Sequence, residues 1–202
     1  MTWDSLTNLG YSSIWNKKFI GTSQSEGSYQ GVPTIVQYYT KLLKGANNQN
    51  NVNVHLYGFI ANGVNADSLL TTSHLRDGLN TEYYAFQNYR IHWVAPTMIN
   101  PANVDNTSIK NWQLRFRVCP QMDKATDTSR KFNLYKGKKV TNDEWMKMTY
   151  VAEINGTMTI YVDDIPLVSY YDPNPTFYGY HALRTWHTLS QIKEYRIWGI
   201  TS

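Results

Sequence analysis

Residues 145–164 read Trp-Met-Lys-Met-Thr-Tyr-Val-Ala-Glu-Ile-Asn-Gly-Thr-Met-Thr-Ile-Tyr-Val-Asp-Asp. Two alternating runs of polar and apolar residues flank Asn155-Gly156. A period of two marks strands with one face buried. An Asn-Gly pair between such runs suits a type I′ turn, in which both central residues need positive φ. A two-residue turn sets Ile154 opposite Thr157, Ala152 opposite Thr159, Val151 opposite Ile160 and Tyr150 opposite Tyr161. One face then carries Val151, Met158, Ile160 and Val162 and is expected to pack on a second sheet. The other carries Met148, Tyr150, Ile154, Thr157, Thr159 and Tyr161. It offers either a ligand groove or a stabilising cross-strand pair of Tyr150 and Tyr161.

The same alternation recurs upstream. Tyr89, Ile91 and Trp93 alternate with Asn88, Arg90 and His92, and Trp112, Leu114, Phe116 and Val118 alternate with Gln113, Arg115 and Arg117. Val52, Val54, Leu56 and Ile60 share one side of a further strand. More strands are expected near 132–136, 145–154, 157–164, 177–185 and 192–199. Residues 32–43 suit either a strand or a short helix closed by Leu42 and Leu43. The Asn-rich residues 46–53 and the Gly- and Ser-rich residues 21–31 read as loops. Residues 68–75 read as one helical turn. At least eight short strands separated by turn signals indicate an antiparallel sandwich or barrel. Trp93, Leu114, Phe116, Val151, Ile160 and Val162 are expected in its core.

Bulk composition agrees. A chain of 202 residues fits one all-β domain, here residues 1–202. A 42% hydrophobic content excludes compositional disorder, while 14% aromatic residues, with 16 Tyr and 7 Trp, favour strands and binding surfaces. The net charge is +4, but the 19 Lys and Arg are dispersed, so no nucleic-acid partner is expected. The nearest run, Lys136, Lys138 and Lys139, reads as a turn. Cys119 stands alone, which excludes an intramolecular disulfide and suits a reducing compartment or indifference to redox. No secretory signal pattern is visible, and no apolar stretch approaches the roughly 18 residues of a spanning helix, so no membrane insertion is expected.

The second half carries a further pattern. Asp143-Glu144-Trp145, Lys147 through Glu153, Asn155-Gly156 and Thr159 through Asp164 continue into Tyr170, Tyr171 and Asp172. Together they resemble the C-terminal half of concanavalin A-like lectin/glucanase domains. The run Gly179-Tyr180-His181-Ala182-Leu183-Arg184-Thr185-Trp186 is similar to that superfamily's Gly-x-x-Gly/Ala-Leu-Arg-Thr-Trp segment. Ile192 to Ile200 resemble its closing strand, and Phe86-Gln87-Asn88-Tyr89-Arg90-Ile91 an upstream one. The resemblance spans about residues 82–200, while residues 1–80 match nothing in it. It is nearest to carbohydrate-binding modules of phage tail and baseplate adhesion proteins. It implies a concanavalin-like jelly roll of two antiparallel sheets that recognises a cell-surface or cell-wall polysaccharide. It also implies a place on a virion or extracellular surface, with other virion or surface proteins as further partners. A structural virion protein that binds other proteins is a competing reading.

Glycosidases of that superfamily carry a signature resembling Glu-x-Asp-x-x-Glu on one strand, because retaining hydrolysis needs two carboxylates about 5 Å apart. That signature is missing. Asp143 and Glu144 are adjacent, as are Asp163 and Asp164, so on a strand each pair points to opposite faces. His55, His74, His92, His181 and His187 do not pair at zinc-site spacing, and His181 and His187 read as surface residues. No Gly-x-Ser-x-Gly elbow or phosphate loop occurs. A non-catalytic domain is expected, and a glycoside hydrolase of the same fold is the alternative.

Sugars present apolar C–H faces and dense hydroxyls, so a flat aromatic beside placed polar groups suits them. Tyr178, Tyr180, Arg184, Trp186 and His187 supply that combination within ten residues, and Tyr178, Tyr180, Arg184 and Trp186 share one side of a strand. Trp186 could equally serve as packing at a strand end. Arg90, Arg115 and Arg117, with His92, are expected on a solvated outer face. There they could also meet phosphate- or carboxylate-bearing polysaccharide. Asp163, Asp164, Asp172 and Asn174 offer oxygen ligands of the kind calcium takes, but without EF-hand-like spacing they read as turn residues, and no cofactor is expected.

Overall fold

The computed structural model describes residues 11–15, 20–25, 28–42, 51–59, 87–94, 112–119, 132–138, 140, 143–186 and 190–200. Every regular element among them is a β-strand. Ile60, Phe86, His187 and the helical turn expected at 68–75 lie outside the described residues. The strands are β1 (Tyr11–Trp15), β2 (Thr22–Ser25), β3 (Ser28–Gln30), β4 (Thr34–Leu42), β5 (Asn51–Phe59), β6 (Gln87–Val94), β7 (Trp112–Cys119), β8 (Phe132–Lys138), β9 (Trp145–Ala152), β10 (Thr157–Val162), β11 (Ile165–Tyr171), β12 (Tyr180–Trp186) and β13 (Ser190–Gly199). A six-stranded sheet runs β1-β12-β5-β6-β7-β8, and a five-stranded sheet runs β11-β10-β9-β4-β13. All pairings are antiparallel.

The inner faces of the two sheets meet in one core. Val54, Tyr89, Ile91, Trp93, Leu114 and Phe116 come from the first sheet, and Val36, Met148, Tyr150, Met158, Ile160 and Val162 from the second. Ring contacts bridge the layers, as between Phe116 and Tyr170 at 5.7 Å. The two-layer antiparallel sandwich expected from the alternation is therefore the fold. β4 settles the ambiguity at 32–43 in favour of a strand, with burial alternating from Thr34 to Leu42. Two expected loops carry more order. Thr22–Ser25 and Ser28–Gln30 pair as β2 and β3, and β5 begins at Asn51. Lys136 and Lys138 belong to β8 rather than to a turn.

The hairpin at Asn155-Gly156 is not the two-residue turn its sequence suggests. Glu153 N donates to Thr157 O at 2.8 Å, and Gly156 N to Glu153 O at 2.9 Å. The loop is therefore Ile154-Asn155-Gly156, with only Gly156 at positive φ (92°). This is the three-residue alternative, a turn followed by a left-handed Gly. The extra loop residue shifts the register by one, to Met158 opposite Ala152, Ile160 opposite Tyr150 and Val162 opposite Met148. A shift of one exchanges faces on one strand. Tyr150 and Met148 consequently point into the core beside Met158, Ile160 and Val162, while Val151 is half-buried on the outside. Tyr150 and Tyr161 lie on opposite faces and form no pair. The other core expectations, Trp93, Leu114, Phe116, Ile160 and Val162, are buried. The two-residue turn with both central residues at positive φ occurs one hairpin later, at Asp163 (52°) and Asp164 (65°), where Val162 pairs Ile165.

Candidate functional site

β12 lies inside the six-stranded sheet, between β1 and β5. Its approach is fixed from three sides. Tyr89 Oη donates to Asp172 Oδ2 at 2.7 Å, and Thr176 N donates to Tyr89 Oη at 3.1 Å. Asp172 Oδ1 accepts from Asn174 N at 2.9 Å, and Asp172 N donates to Gly156 O at 3.0 Å. Val32 N donates to Phe177 O at 2.8 Å, and Gly179 exchanges both backbone bonds with Ile20. Phe177 is buried, and Gly179 takes φ 133° just before the strand opens.

A bulge in β5 meets this corner. The partner of Tyr180 is Gly58 and that of Ala182 is His55, so Leu56 and Tyr57 together oppose His181. Both are buried, and Tyr57 takes φ 55°, a strained conformation for a bulky residue. Surroundings hold it there. Its hydroxyl is 2.5 Å from Thr34 Oγ1 and donates to Val32 O at 3.3 Å, and its ring lies 5.0 Å from His181 and 5.3 Å from Phe177.

The pleat of β12 then separates its residues. His181 points into the core and is buried, not a surface residue as its sequence position suggests; burial pushes its imidazole down to about 3. Tyr180, Arg184 and Trp186 occupy the alternate positions of the strand. Tyr180 is half-buried there. Tyr178 is also half-buried but precedes Gly179 and lies outside the strand, so alternation does not place it with the others. Of the five expected residues, Tyr180, Arg184 and Trp186 thus hold alternate backbone positions of β12. Tyr178 lies just before the strand, and His187 falls outside the described residues.

Strand order adds residues the sequence does not connect. The register sets Ser13, Arg184, Asn53, His92, Arg115 and Tyr135 in one row across all six strands. Trp15, Ala182, His55, Arg90, Arg117 and Asn133 form the next row, and Tyr11, Trp186 and Asn51 stand on its other side. Aromatic, amide, imidazole and guanidinium positions thus share one sheet face. None of the six strands contains Asp or Glu. Asn53, His55, His92 and Trp15 were missed as companions of Arg184 because only the insertion of β12 between β1 and β5 makes them neighbours. Arg90 corrects the expectation of a solvated face. It is 2% exposed and Arg115 is half-buried, and both are engaged within the protein, as a buried guanidinium requires.

Three of the described carboxylates serve local structure. Asp163 Oδ1 accepts from Lys147 N at 2.9 Å, Asp164 Oδ1 lies 2.8 Å from Lys147 Nζ, and Asp172 is held by Tyr89 and Asn174. Among the described residues no three His, Cys, Asp or Glu side chains gather to hold a metal ion.

The two antiparallel sheets form a concanavalin-like β-sandwich. No protein-family model matches the chain, and no curated protein matches it in sequence. Solved structures do match. The carbohydrate recognition domain of Emp47p is similar at a TM-score of 0.58 and 10% identity, over 98% of this chain and 87% of that one. Carbohydrate-binding module CBM66 from Bacillus subtilis is similar at 0.55 and 10% identity, over 98% and 90%. An alginate lyase from Pseudomonas aeruginosa scores 0.49 at 7% identity, over 84% and 65%. At such identities the likeness to the first two establishes the fold alone.

Proposed function

We propose that this protein is a non-catalytic carbohydrate-binding domain whose glycan lies along the outer face of the six-stranded sheet, over β12. The observation that carries the reading is the register row Arg184–Asn53–His92, flanked on β12 by Tyr180 and Trp186. Trp186 and Tyr180 supply stacking surfaces for C–H faces, and Arg184, Asn53 and His92 supply directed donors and acceptors for hydroxyls. Tyr178 and His187, which flank this segment in the sequence, complete the proposed set. Glycoside hydrolysis needs two carboxylates flanking the scissile bond, and the strands that build this face carry none. Two structural neighbours, a carbohydrate recognition domain and a carbohydrate-binding module, support the reading.

The ligand we propose is a cell-surface or cell-wall polysaccharide. The setting is a virion or extracellular adhesion device, supported by the sequence resemblance to phage adhesion modules, in which neighbouring virion or surface proteins are partners. A glycan array combined with a reducing-sugar release assay tests the function. Binding without release is expected. Release of sugar that disappears on replacing one Asp or Glu replaces the reading with a hydrolase. A silent array replaces it with a structural virion component.

A further inference from the structure

The second sheet presents its own outer face, on the far side of the sandwich from β12. Its outward positions on β4 and β9 include Gln37, Tyr39, Lys41, Trp145, Lys147 and Thr149. No outward position of β4, β9 or β10 is acidic. Two described cations on this face are neutralised: Lys147 Nζ lies 2.8 Å from Asp164, and Arg196 Nη2 lies 3.3 Å from Glu194.

Lys41 and Lys193 differ from them, since among the described residues neither meets a carboxylate. Both ammonium groups converge on one indole. Lys41 Nζ is 5.1 Å and Lys193 Nζ 4.4 Å from the Trp145 ring centroid, and Lys193 also lies 5.5 Å from that of Tyr39. The register explains the convergence. Lys41 sits directly across from Trp145, and Lys193 directly across from Tyr39, one step along the same pair of rows. Two like charges gathered over one ring repel each other, and the π-face offsets only part of that repulsion. An anion between them removes the repulsion and gains two charge-assisted contacts.

We infer that Lys41, Lys193 and Trp145 form a second binding site, which takes the anionic group of an acidic glycan. Charge complementarity sets the sign of the ligand. The surroundings set its class. Trp145 is 37% exposed and offers flat apolar surface to a sugar ring. The amides of Gln37 and Gln191 and the Thr149 hydroxyl lie at neighbouring register positions and suit sugar hydroxyls. A uronate carboxylate, a sulfate ester and a phosphate ester share the required chemistry.

Equilibrium binding of the full chain to defined oligosaccharides tests the inference. The probes are a uronic-acid oligomer, a sulfated oligomer, a phosphorylated oligomer, a neutral oligomer and poly-glutamate. The proteins are wild type and the Lys41→Gln/Lys193→Gln double variant, with melting temperature confirming that the variant is folded. At least one acidic oligomer is expected to bind wild type more tightly than the neutral one and to weaken with added salt. In the double variant its affinity falls roughly a hundredfold, about tenfold for each of the two charge-assisted contacts removed, while any neutral-glycan binding is unchanged. Whichever acidic oligomer binds identifies the anion. Equal affinity for acidic and neutral oligomers overturns the inference, as does a double variant that binds like wild type. Equal binding of poly-glutamate overturns the glycan assignment. Because Arg184 and Trp186 lie on the other sheet, their variants report on the proposed function separately.

Discussion

Gly156→Ala is the substitution whose cost can be worked most fully from the structure. A Cβ added at Gly156 would lie 2.2 Å from the backbone oxygen of Asp172 and 3.4 Å from Pro175 Cγ. The first contact is with main chain, so no rotamer relieves it. The backbone there sits at φ 92°, which costs a non-glycine residue about 1–3 kcal/mol. Moving residue 172 away also loosens the Asp172 N to Gly156 O bond of 3.0 Å, worth about 1 kcal/mol. Tyr89 and Asn174, both bound to the Asp172 carboxylate, are disturbed with it. Together the destabilisation is about 3 kcal/mol or more, and at about 2–4 °C per kcal/mol for a chain of this size the melting temperature falls by roughly 6–12 °C. Asn155→Ala is the control. It removes only the 2.8 Å acceptance from Thr157 N at an exposed site, about 0.5–1 kcal/mol. Calorimetry or thermal circular dichroism reads both variants. A Gly156→Ala protein that melts within about 2 °C of wild type, or an Asn155→Ala protein that loses more than Gly156→Ala, refutes the three-residue loop and its contact with residue 172.

His181 makes stability depend on pH. Its imidazole is neutral in the folded protein down to about 3, whereas the unfolded chain takes a proton near the ordinary value of 6.5. Below pH 6.5 the unfolded state binds more protons, so stability is full above that value and declines as pH falls towards 3. By pH 5 the loss is about 2 kcal/mol, and chemical denaturation of a His181→Gln variant should lack this increment; an identical slope in both proteins contradicts the buried placement. Ile160→Ala should cost about 2–5 kcal/mol and Val151→Ala about 1 kcal/mol by denaturant titration, and a core-sized loss at Val151 as well would restore the two-residue turn. The Tyr150 hydroxyl is buried and meets no hydrogen-bond partner among the described residues. Tyr150→Phe should therefore leave the melting temperature unchanged or raised, and a clear drop would show that the hydroxyl is bonded after all.

The sandwich was legible because period-two alternation needs no tertiary knowledge: Leu114, Phe116 and Val118 announce an inward face wherever their strand lies. The hairpin register was not. Asn-Gly serves both two- and three-residue loops, and what selects the longer one is the fit of Gly156 under Asp172, a contact between residues 16 positions apart. That single residue reversed the faces of Val151 and Tyr150. The same kind of non-local cause put His181 in the core, since the β5 bulge that packs Tyr57 against it leaves no sequence signal beyond an uninterrupted apolar run. For the candidate site, the segment from Tyr178 to His187 was visible as a dense aromatic and basic stretch. Its companions Asn53 and His92 were not, because strand order, which decides who neighbours β12, is set by the whole fold. Arg90 shows the limit of alternation: a position facing away from the core is not thereby exposed.

Affinity for purified cell-wall polysaccharides, measured side by side for wild type, Arg184→Ala and Trp186→Ala, tests the central claim most directly. The account predicts a reversible complex with wild type. Arg184→Ala should weaken it by about 1.5–3 kcal/mol, and Trp186→Ala should weaken it severely while the melting temperature stays nearly unchanged. Binding that survives both substitutions would contradict the site. Unfolding of Trp186→Ala, at the cost of about 3–5 kcal/mol expected for a core aromatic, would contradict its placement on the outer face.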